Sequence, residues 1–406
     1  MSKGSPHFQK LKQEFIFPII EQKLEEFRKQ HPNKTILNFG IGDVVFPLNS
    51  AIVESLVQAV QEMGTTVRGY GPPTGYSFLK EALVDYEYGN YGISPHEIFI
   101  SEGTKADSVN LLDLFATKCS VAITDPTYPS YLDGCILDGR TSSPTEDGLY
   151  QQITYLPCLE ENGFAPLPPN HPCHIVYLCS PNNPTGIALT KEQLSTWVAY
   201  AKKHQAILIV DAAYEAFISS PNTPRSIYEI PGALEVAIEL RSFSKSAGFT
   251  GLRCAYAVIP DKLYVQVHQK KMPLNTLWKQ RQNIKSNGVA YPIQKAAAYS
   301  LQPHVQKELR KNIEIYLTQS KRVKEALLAA HQTCYGGIDC PYIWWKAPQE
   351  LSSWEFFDKL LHQVNLLTIP GSAFGRQGEG FVRLSAFATP DTVDLALPRL
   401  SSIDFL

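Results

Sequence analysis

The sequence predicts an α/β protein, with a large, mostly parallel sheet between helices and a smaller α+β domain behind it. Three observations lead there. Short β-branched runs recur through the middle of the chain: EIFIS (97–101), VAIT (121–124), HIVYLCS (174–180), AILIVD (206–211), AIELRSF (237–243) and CAYAVI (254–259). Helical patterns such as KADSVNLLDLFA (105–116) and TKEQLSTWVAYAKKH (190–204) lie between them. Such alternation marks parallel strands covered on both faces. Past residue 290 the pattern changes: 292–330 reads as long amphipathic helix with a break near Pro303, and IWWK and FVRLSAF read as strands around the helix SWEFFDKLLHQ.

The chain has 406 residues, more than one ordinary core accommodates. The expected division is 1–45 as an N-terminal arm and part of the small domain, 46–289 as the large domain and 290–406 as the small one. The arm holds an amphipathic helix (IIEQKLEEFRKQ) and a strand (TILNFGIG), expected to pack on the C-terminal unit or on a partner subunit.

Composition is that of a packed globular protein, 44% hydrophobic and 19% charged. The net charge of -2 gives no reason to expect nucleic acid. No apolar run approaches the length of a membrane span, and MSKGSPHFQKLKQEF has no signal-peptide core. The eight cysteines are scattered without a CxxC, which points to reduced thiols in a cytoplasmic protein. His171, Cys173 and His174 read as a turn entering a strand, because no partner motif of zinc spacing comes after them, and no metal is expected.

Ligands of doubly wound sheets gather at the carboxyl ends of the strands. The segments just past those ends are polar and varied here: EGTK, DPTYPSY, SPNNPTG, Asp211 with AAY, and RSFSK. Singly these are ordinary: a helix start, a turn built from Asn, Pro and Gly, a capping acid, a loop lysine. Together they suit one ligand. Gly103 and Thr104 open a helix whose free N–H groups suit a phosphate. Ser242, Ser244 and Arg253 add hydroxyls and a fixed cation. Asp211, on a buried strand, needs a cationic partner such as a protonated pyridine nitrogen. Asn183 and Tyr214 can bind a phenolate oxygen, Tyr128 offers an aromatic face, and Lys245 can condense with an aldehyde. These are the parts of pyridoxal 5′-phosphate (PLP).

SPNNPTG, DAAY, SFSK and the arginine eight residues after the lysine resemble, in order and spacing, the class I/II aminotransferases of the fold-type I PLP-dependent enzymes. The resemblance covers nearly the whole chain and implies a seven-stranded sheet in the large domain. LNFGIGD, RGYGPPTG, SEGTKAD, DPTYPSYLD, DAAYEAFI, RSFSKSAGFTGLR, LWKQRQNIKSNGVAY and PGSAFGRQGEGFVRLSAF are similar to one branch, the L,L-diaminopimelate aminotransferases. By that resemblance Lys245 holds the cofactor and is the catalytic base. Asp211 pairs the ring nitrogen, Asn183 and Tyr214 the ring oxygen, and Tyr128 stacks on the ring. Thr104, Lys105, Ser242, Ser244 and Arg253 surround the phosphate, joined by Tyr70 from a second subunit, which implies a homodimer with shared active sites. Arg383 clamps the substrate α-carboxylate beside Gly42. Asn287 reaches substrate or cofactor from the partner, and Lys105, Tyr128 and Asn183 also face substrate.

The chain departs from the branch in three places. Phe15-Ile16-Phe17 stands where a Tyr-Leu-Phe is usual, which leaves Phe15 in a substrate-facing position without its hydroxyl. Pro73-Thr74 replaces a Glu-Gln pair, and Thr65 an acidic residue. Each removes a polar handle for the far end of diaminopimelate, and a site built for that end loses affinity when its handles go. Lys105 remains for a distal carboxylate. The expected activity is transfer between L,L-diaminopimelate and 2-oxoglutarate, on the way to lysine and cell-wall precursors. An aminotransferase for lysine or another amino acid, a PLP lyase and a PLP-binding regulator are the alternatives. A regulator of that kind carries a basic DNA-binding extension, which the N-terminal stretch lacks.

Overall fold

The computed structural model describes residues 2–11, 16–348, 351–401 and 403. A seven-stranded sheet forms its centre. In chain order its strands are β1 (Ile98–Ser101), β2 (Val121–Asp125), β3 (Ile153–Pro157), β4 (Ile175–Cys179), β5 (Ile207–Asp211), β6 (Ala237–Ser242) and β7 (Ala255–Val258). Their spatial order is β1-β7-β6-β5-β4-β2-β3. Only β7 runs against its neighbours; the others share one direction.

Strands β2, β4 and β5 are buried at every position, as strands covered on both faces must be. The sequence signal missed β3. It lies at the sheet edge, where Thr154 and Tyr155 are half-exposed, so it has no continuous apolar run.

The helices obey their local chemistry. Thr190 opens Lys191–His204 with a capping box: its Oγ1 accepts from the Gln193 N–H (3.3 Å), and Gln193 Oε1 accepts from the Thr190 N–H (2.9 Å). The helix expected over 105–116 instead runs Thr104–Asn110 and tightens into a 3-10 turn, Leu111–Leu114. Buried Arg140 donates to the carbonyl oxygens of Leu112, Phe115 and Ala116, each at 2.7 Å, and so takes the place of further helical bonds.

The long C-terminal helix is two. Tyr291–Ser300 ends, Gln302 is extended, and Pro303 begins Pro303–Ala329, because proline disfavours a helical residue before it and suits the first helical position. Ala296, Ala297, Leu301, Val305 and Leu309 fill the core on one face of the large sheet, beside the helix Ser50–Thr65. Farther along the second helix, Val323 and Leu327 enter the core of a second sheet.

That second sheet has four strands: β8 (Cys334–Gly336), β9 (Tyr342–Lys346), β10 (Ile369–Pro370) and β11 (Phe381–Ser385), ordered β8-β9-β11-β10 and antiparallel throughout. The N-terminal segment joins it. Ile20, Leu24 and Phe27 of helix Ile16–Gln30 pack with Trp344, Phe357 and Leu361. Leu37–Asn38 pairs in parallel with Leu366–Leu367.

Candidate active site

Because β1, β2, β4, β5 and β6 run the same way, their carboxyl ends open on one edge of the sheet. Gly103-Thr104, Tyr128, Asn183, Asp211 and Lys245 each come just after or end one of these strands.

Lys245 sits in a single helical turn, Phe243–Ser246, whose N-cap Ser242 accepts the Ser244 N–H at 3.0 Å. The lysine side chain is 13% exposed. Its Nζ donates to the Gly42 carbonyl oxygen at 2.7 Å and to Asp43 Oδ1 at 3.3 Å. Burial holds the amine's pKa below the usual lysine value. Asp43 opposes that shift, while the cations Arg383 and Arg253 add to it.

Arg253 has a left-handed backbone (φ 65°) and an Nη1 that donates to the Thr250 carbonyl oxygen at 2.9 Å. Its guanidinium lies flush against Gly103, so closely that a Cβ there would collide with Nη2. The glycine is what lets a cation sit over the turn that begins at Thr104. Lys105 is exposed on the same turn.

Asp211 ends β5 and is 6% exposed. Its Oδ2 accepts from the Tyr131 hydroxyl at 2.7 Å and its Oδ1 from the Ala213 N–H at 3.1 Å. Among the described residues no cation pairs with it. Burial pushes its carboxyl pKa up, and the two donors pull it back. Tyr128 packs edge-on against Tyr131, with centroids 5.6 Å apart.

Arg383 lies on β11, 6% exposed. Its Nη1 donates to Asn183 Oδ1 at 2.8 Å and its Nη2 to the Gly40 carbonyl oxygen at 2.7 Å. Among the described residues its buried Nε has no hydrogen-bond partner, and an unmet buried donor on a cation is costly unless an anion arrives. Tyr214 is buried, and its hydroxyl lies 2.8 Å from that of Tyr342.

These contacts bring Gly42, Lys245, Asn183, Arg383 and Tyr214 together, and Arg253 onto Gly103. Tyr70 (91% exposed) and Asn287 stand outside the cluster on two loops that touch each other, since Gly288 packs on the Pro72 carbonyl. Phe15 lies outside the described residues. Thr65 turns its hydroxyl back to the Glu62 carbonyl oxygen (3.2 Å), and Thr74 accepts from Lys80 Nζ (3.3 Å).

Three residues went unread in the sequence. Tyr131 lies one helical turn after Tyr128, a spacing that could have pointed to a shared face. Asp43 next to Gly42 gave no signal, and neither did Tyr342 in an aromatic strand.

The donor set fits PLP. A buried carboxylate without a cation suits a protonated ring nitrogen. The Arg253–Gly103 cradle suits a phosphate, and a buried amine with lowered pKa suits an aldehyde.

Comparison with known proteins agrees. The family model described as aminotransferase class I and II matches residues 34–400. The L,L-diaminopimelate aminotransferase of Methanosphaera stadtmanae is 43% identical over 99% of both chains. Among solved structures, L,L-diaminopimelate aminotransferase from Chlamydomonas reinhardtii superposes with a TM-score of 0.92, 37% identity and 98% coverage of each chain. An aromatic aminotransferase from Pyrococcus horikoshii gives 0.77 and 25%, over 94% of this chain and 97% of that one. Matched by the family model over residues 34–400 and 43% identical to such an enzyme over 99% of both chains, the chain belongs to the class I and II aminotransferases.

Proposed function

We propose that this chain is an L,L-diaminopimelate aminotransferase, exchanging an amino group between L,L-diaminopimelate or tetrahydrodipicolinate and 2-oxoglutarate or glutamate. This places it in the supply of lysine and cell-wall precursors. One observation carries the reading: 43% identity to a relative of that name over 99% of each chain. Class I and II aminotransferases are PLP-dependent, and this chain is one of them.

Bound PLP supplies an electron sink for the pair of electrons left when the substrate α-proton departs. The chain's own residues do the rest. Asp211 would hold the proton on the ring nitrogen. Asn183 and Tyr214 hold the ring oxygen and Tyr128 covers the ring face. Thr104, Lys105, Ser242, Ser244 and Arg253 hold the phosphate. Lys245 Nζ, whose pKa burial and two cationic neighbours hold below the usual lysine value, is the base that would take the α-proton. Arg383, with Nε free, receives the α-carboxylate of both amino and keto substrates. Gly42 lines the same space, Asn287 would reach it from the partner subunit, and Lys105 meets a distal carboxylate.

A homodimer with shared sites belongs to this reading. Its support is apolar exposure: Val53, Val57, Val60 and Met63 of helix Ser50–Thr65 are 42%, 51%, 58% and 42% exposed, on the helix that leads to Tyr70. Covered by a second copy, that face would bring Tyr70 to the neighbouring phosphate and Asn287 to the neighbouring substrate or cofactor. The small domain is read as 290–406 with part of 1–45, and the large one as 46–289, the packing of 291–309 on the large sheet making the stretch near 290 a junction. A cytoplasmic location is in keeping with eight free cysteines. Among the described residues no helix is long and apolar enough to cross a membrane.

The test is a panel of amino donors with purified holoenzyme. L,L-diaminopimelate with 2-oxoglutarate should give the highest kcat/KM. A negligible rate with it beside a good rate with lysine would transfer the assignment to the alternative, which the hydroxyl of Thr65, turned back on its own helix, favours.

A further inference from the structure

We propose that Tyr342 is a positioning residue that couples the residue holding the cofactor's ring oxygen to the arginine holding the substrate carboxylate. The inference rests on the active-site reading above. Tyr342 begins β9, is 1% exposed, and lies against Tyr214, Arg383 and Gly42. Its hydroxyl lies 2.8 Å from that of Tyr214. Its ring lies under the guanidinium of Arg383, with Cζ 4.6 Å from the ring centroid. Its hydroxyl also presses on the Gly42 backbone so tightly that a Cβ there could not be placed, and Gly42 is the residue whose carbonyl receives Lys245 Nζ. Phe387 links the same groups: it packs edge-on to Tyr342 (5.9 Å) and lies 5.5 Å from Lys245 Nζ.

The two ends of Tyr342 do different work. The ring gives Arg383 a flat apolar support, with the Phe374 ring 5.0 Å from the same Cζ. With Nη1 on Asn183 and Nη2 on Gly40, the ring fixes the plane of the guanidinium while Nε stays unmet. The hydroxyl acts on Tyr214. Burial pushes the Tyr342 phenol up to about 12 and raises that of Tyr214 as well, so both keep their protons at neutral pH. Two neutral phenols that share one hydrogen bond leave one O–H to point elsewhere. When Tyr214 turns its proton to the cofactor oxygen, Tyr342 supplies the donor that Tyr214 then accepts. A donor polarised in this way is a stronger donor, so Tyr342 helps to stabilise negative charge on the ring oxygen without touching it. The four-stranded sheet thereby sets both groups at once, because Tyr342 and Arg383 lie on adjacent paired strands, Arg383 opposite Trp344.

Two variants separate the two ends. Tyr342→Phe keeps the ring and removes the hydroxyl; Tyr342→Leu removes both. The readouts are the pH midpoint of the bound cofactor's visible absorbance, and the KM and kcat for 2-oxoglutarate. Tyr342→Phe should move the midpoint to higher pH, because the ring oxygen becomes more basic, and should leave KM within about twofold. Tyr342→Leu should shift the midpoint likewise and raise KM roughly fivefold or more, the scale of a lost cation–π contact at a desolvated site. A merely structural tyrosine would lower the melting temperature and leave both the midpoint and the KM of the folded fraction alone, and that result overturns the proposal. Should Tyr342→Leu fail to fold, an unshifted midpoint in Tyr342→Phe overturns it alone. Wild-type protein that takes up no PLP would instead bring down the reading on which this one stands.

Discussion

Lys245 Nζ lies 2.7 Å from the Gly42 carbonyl oxygen and 3.3 Å from the Asp43 carboxylate, so the amine meets its neutral and its anionic partner on consecutive residues. The carboxylate opposes the depression that burial imposes on the lysine pKa. Asp43→Asn removes that opposition and keeps the shape. The lysine pKa then falls further, and the acid limb of kcat against pH moves to lower pH. Activity rises as pH climbs through the pKa of a catalytic base, so the variant should be relatively more active on the acid side. An acid limb that moves to higher pH would contradict the placement of Asp43.

Replacing the lysine itself is the harsher test. Lys245→Ala should remove the absorbance of the lysine-bound cofactor and lower turnover by on the order of 10³-fold or more, as expected when base and covalent anchor are lost together. Stopped-flow and steady-state assays with L,L-diaminopimelate measure both effects. Retention of a normal rate would remove Lys245 from the chemistry.

Asp211 predicts a split between stability and activity. Its folded carboxyl pKa is raised by burial above an unfolded value of about 3.9. The native apoprotein therefore binds more protons than the unfolded chain between those two values. Its stability falls as pH rises through that window and stays lower above it. Asp211→Asn has no such titration, so the melting temperature of its apo form at neutral pH should equal or exceed that of wild type, with a flatter dependence on pH. Turnover should fall by on the order of 10²–10³, the cost of losing a fixed charge aimed at the reacting group. A less stable apo variant would show that the carboxylate is not strained by its burial.

Arg383 is held by hydrogen bonds to Asn183 and Gly40. Arg383→Ala should weaken amino and keto substrates alike by about 2–5 kcal/mol, as when one partner of a buried charge pair is removed. The KM for 2-oxoglutarate is the sensitive readout. An unchanged value would mean that the carboxylate binds elsewhere.

Much of this architecture was legible because its signals are local. Buried parallel strands announce themselves as unbroken apolar runs, as in Ile207–Asp211, and the residue ending each run falls at the ligand edge without further information. Strand β3 was not legible, because an edge strand with half-exposed Thr154 and Tyr155 lacks the run. The same limit hid the support of the site. Asp43 matters only because the Leu37–Asn38 strand, paired with Leu366–Leu367, carries the next loop across to Lys245. Tyr342 matters only because β9 pairs with β11 in the register that sets its ring under Arg383. Such roles come from long-range packing, and no short stretch of sequence encodes them.

The exposed face of helix Ser50–Thr65 leads to the last prediction. Val57 and Val60 are 51% and 58% exposed, and Tyr70, a few residues beyond the helix, is 91% exposed. A side chain so placed serves its own site poorly and a neighbour's well, if the apolar face is where two copies meet. Val57→Asp would put charge in that face, so ultracentrifugation should find monomer, with cofactor affinity reduced. Sharing is tested by mixing two inactive proteins, Lys245→Ala and Tyr70→Ala, after mild dissociation. In a mixed dimer one site carries both substitutions and the other carries neither, so activity should return to roughly a quarter of all sites when subunits exchange at random in a closed twofold dimer. If each site used the Tyr70 of its own chain, every site in the mixture would lack one of the two groups. No activity would return, and that outcome in a proven mixed dimer would sink the shared-site reading.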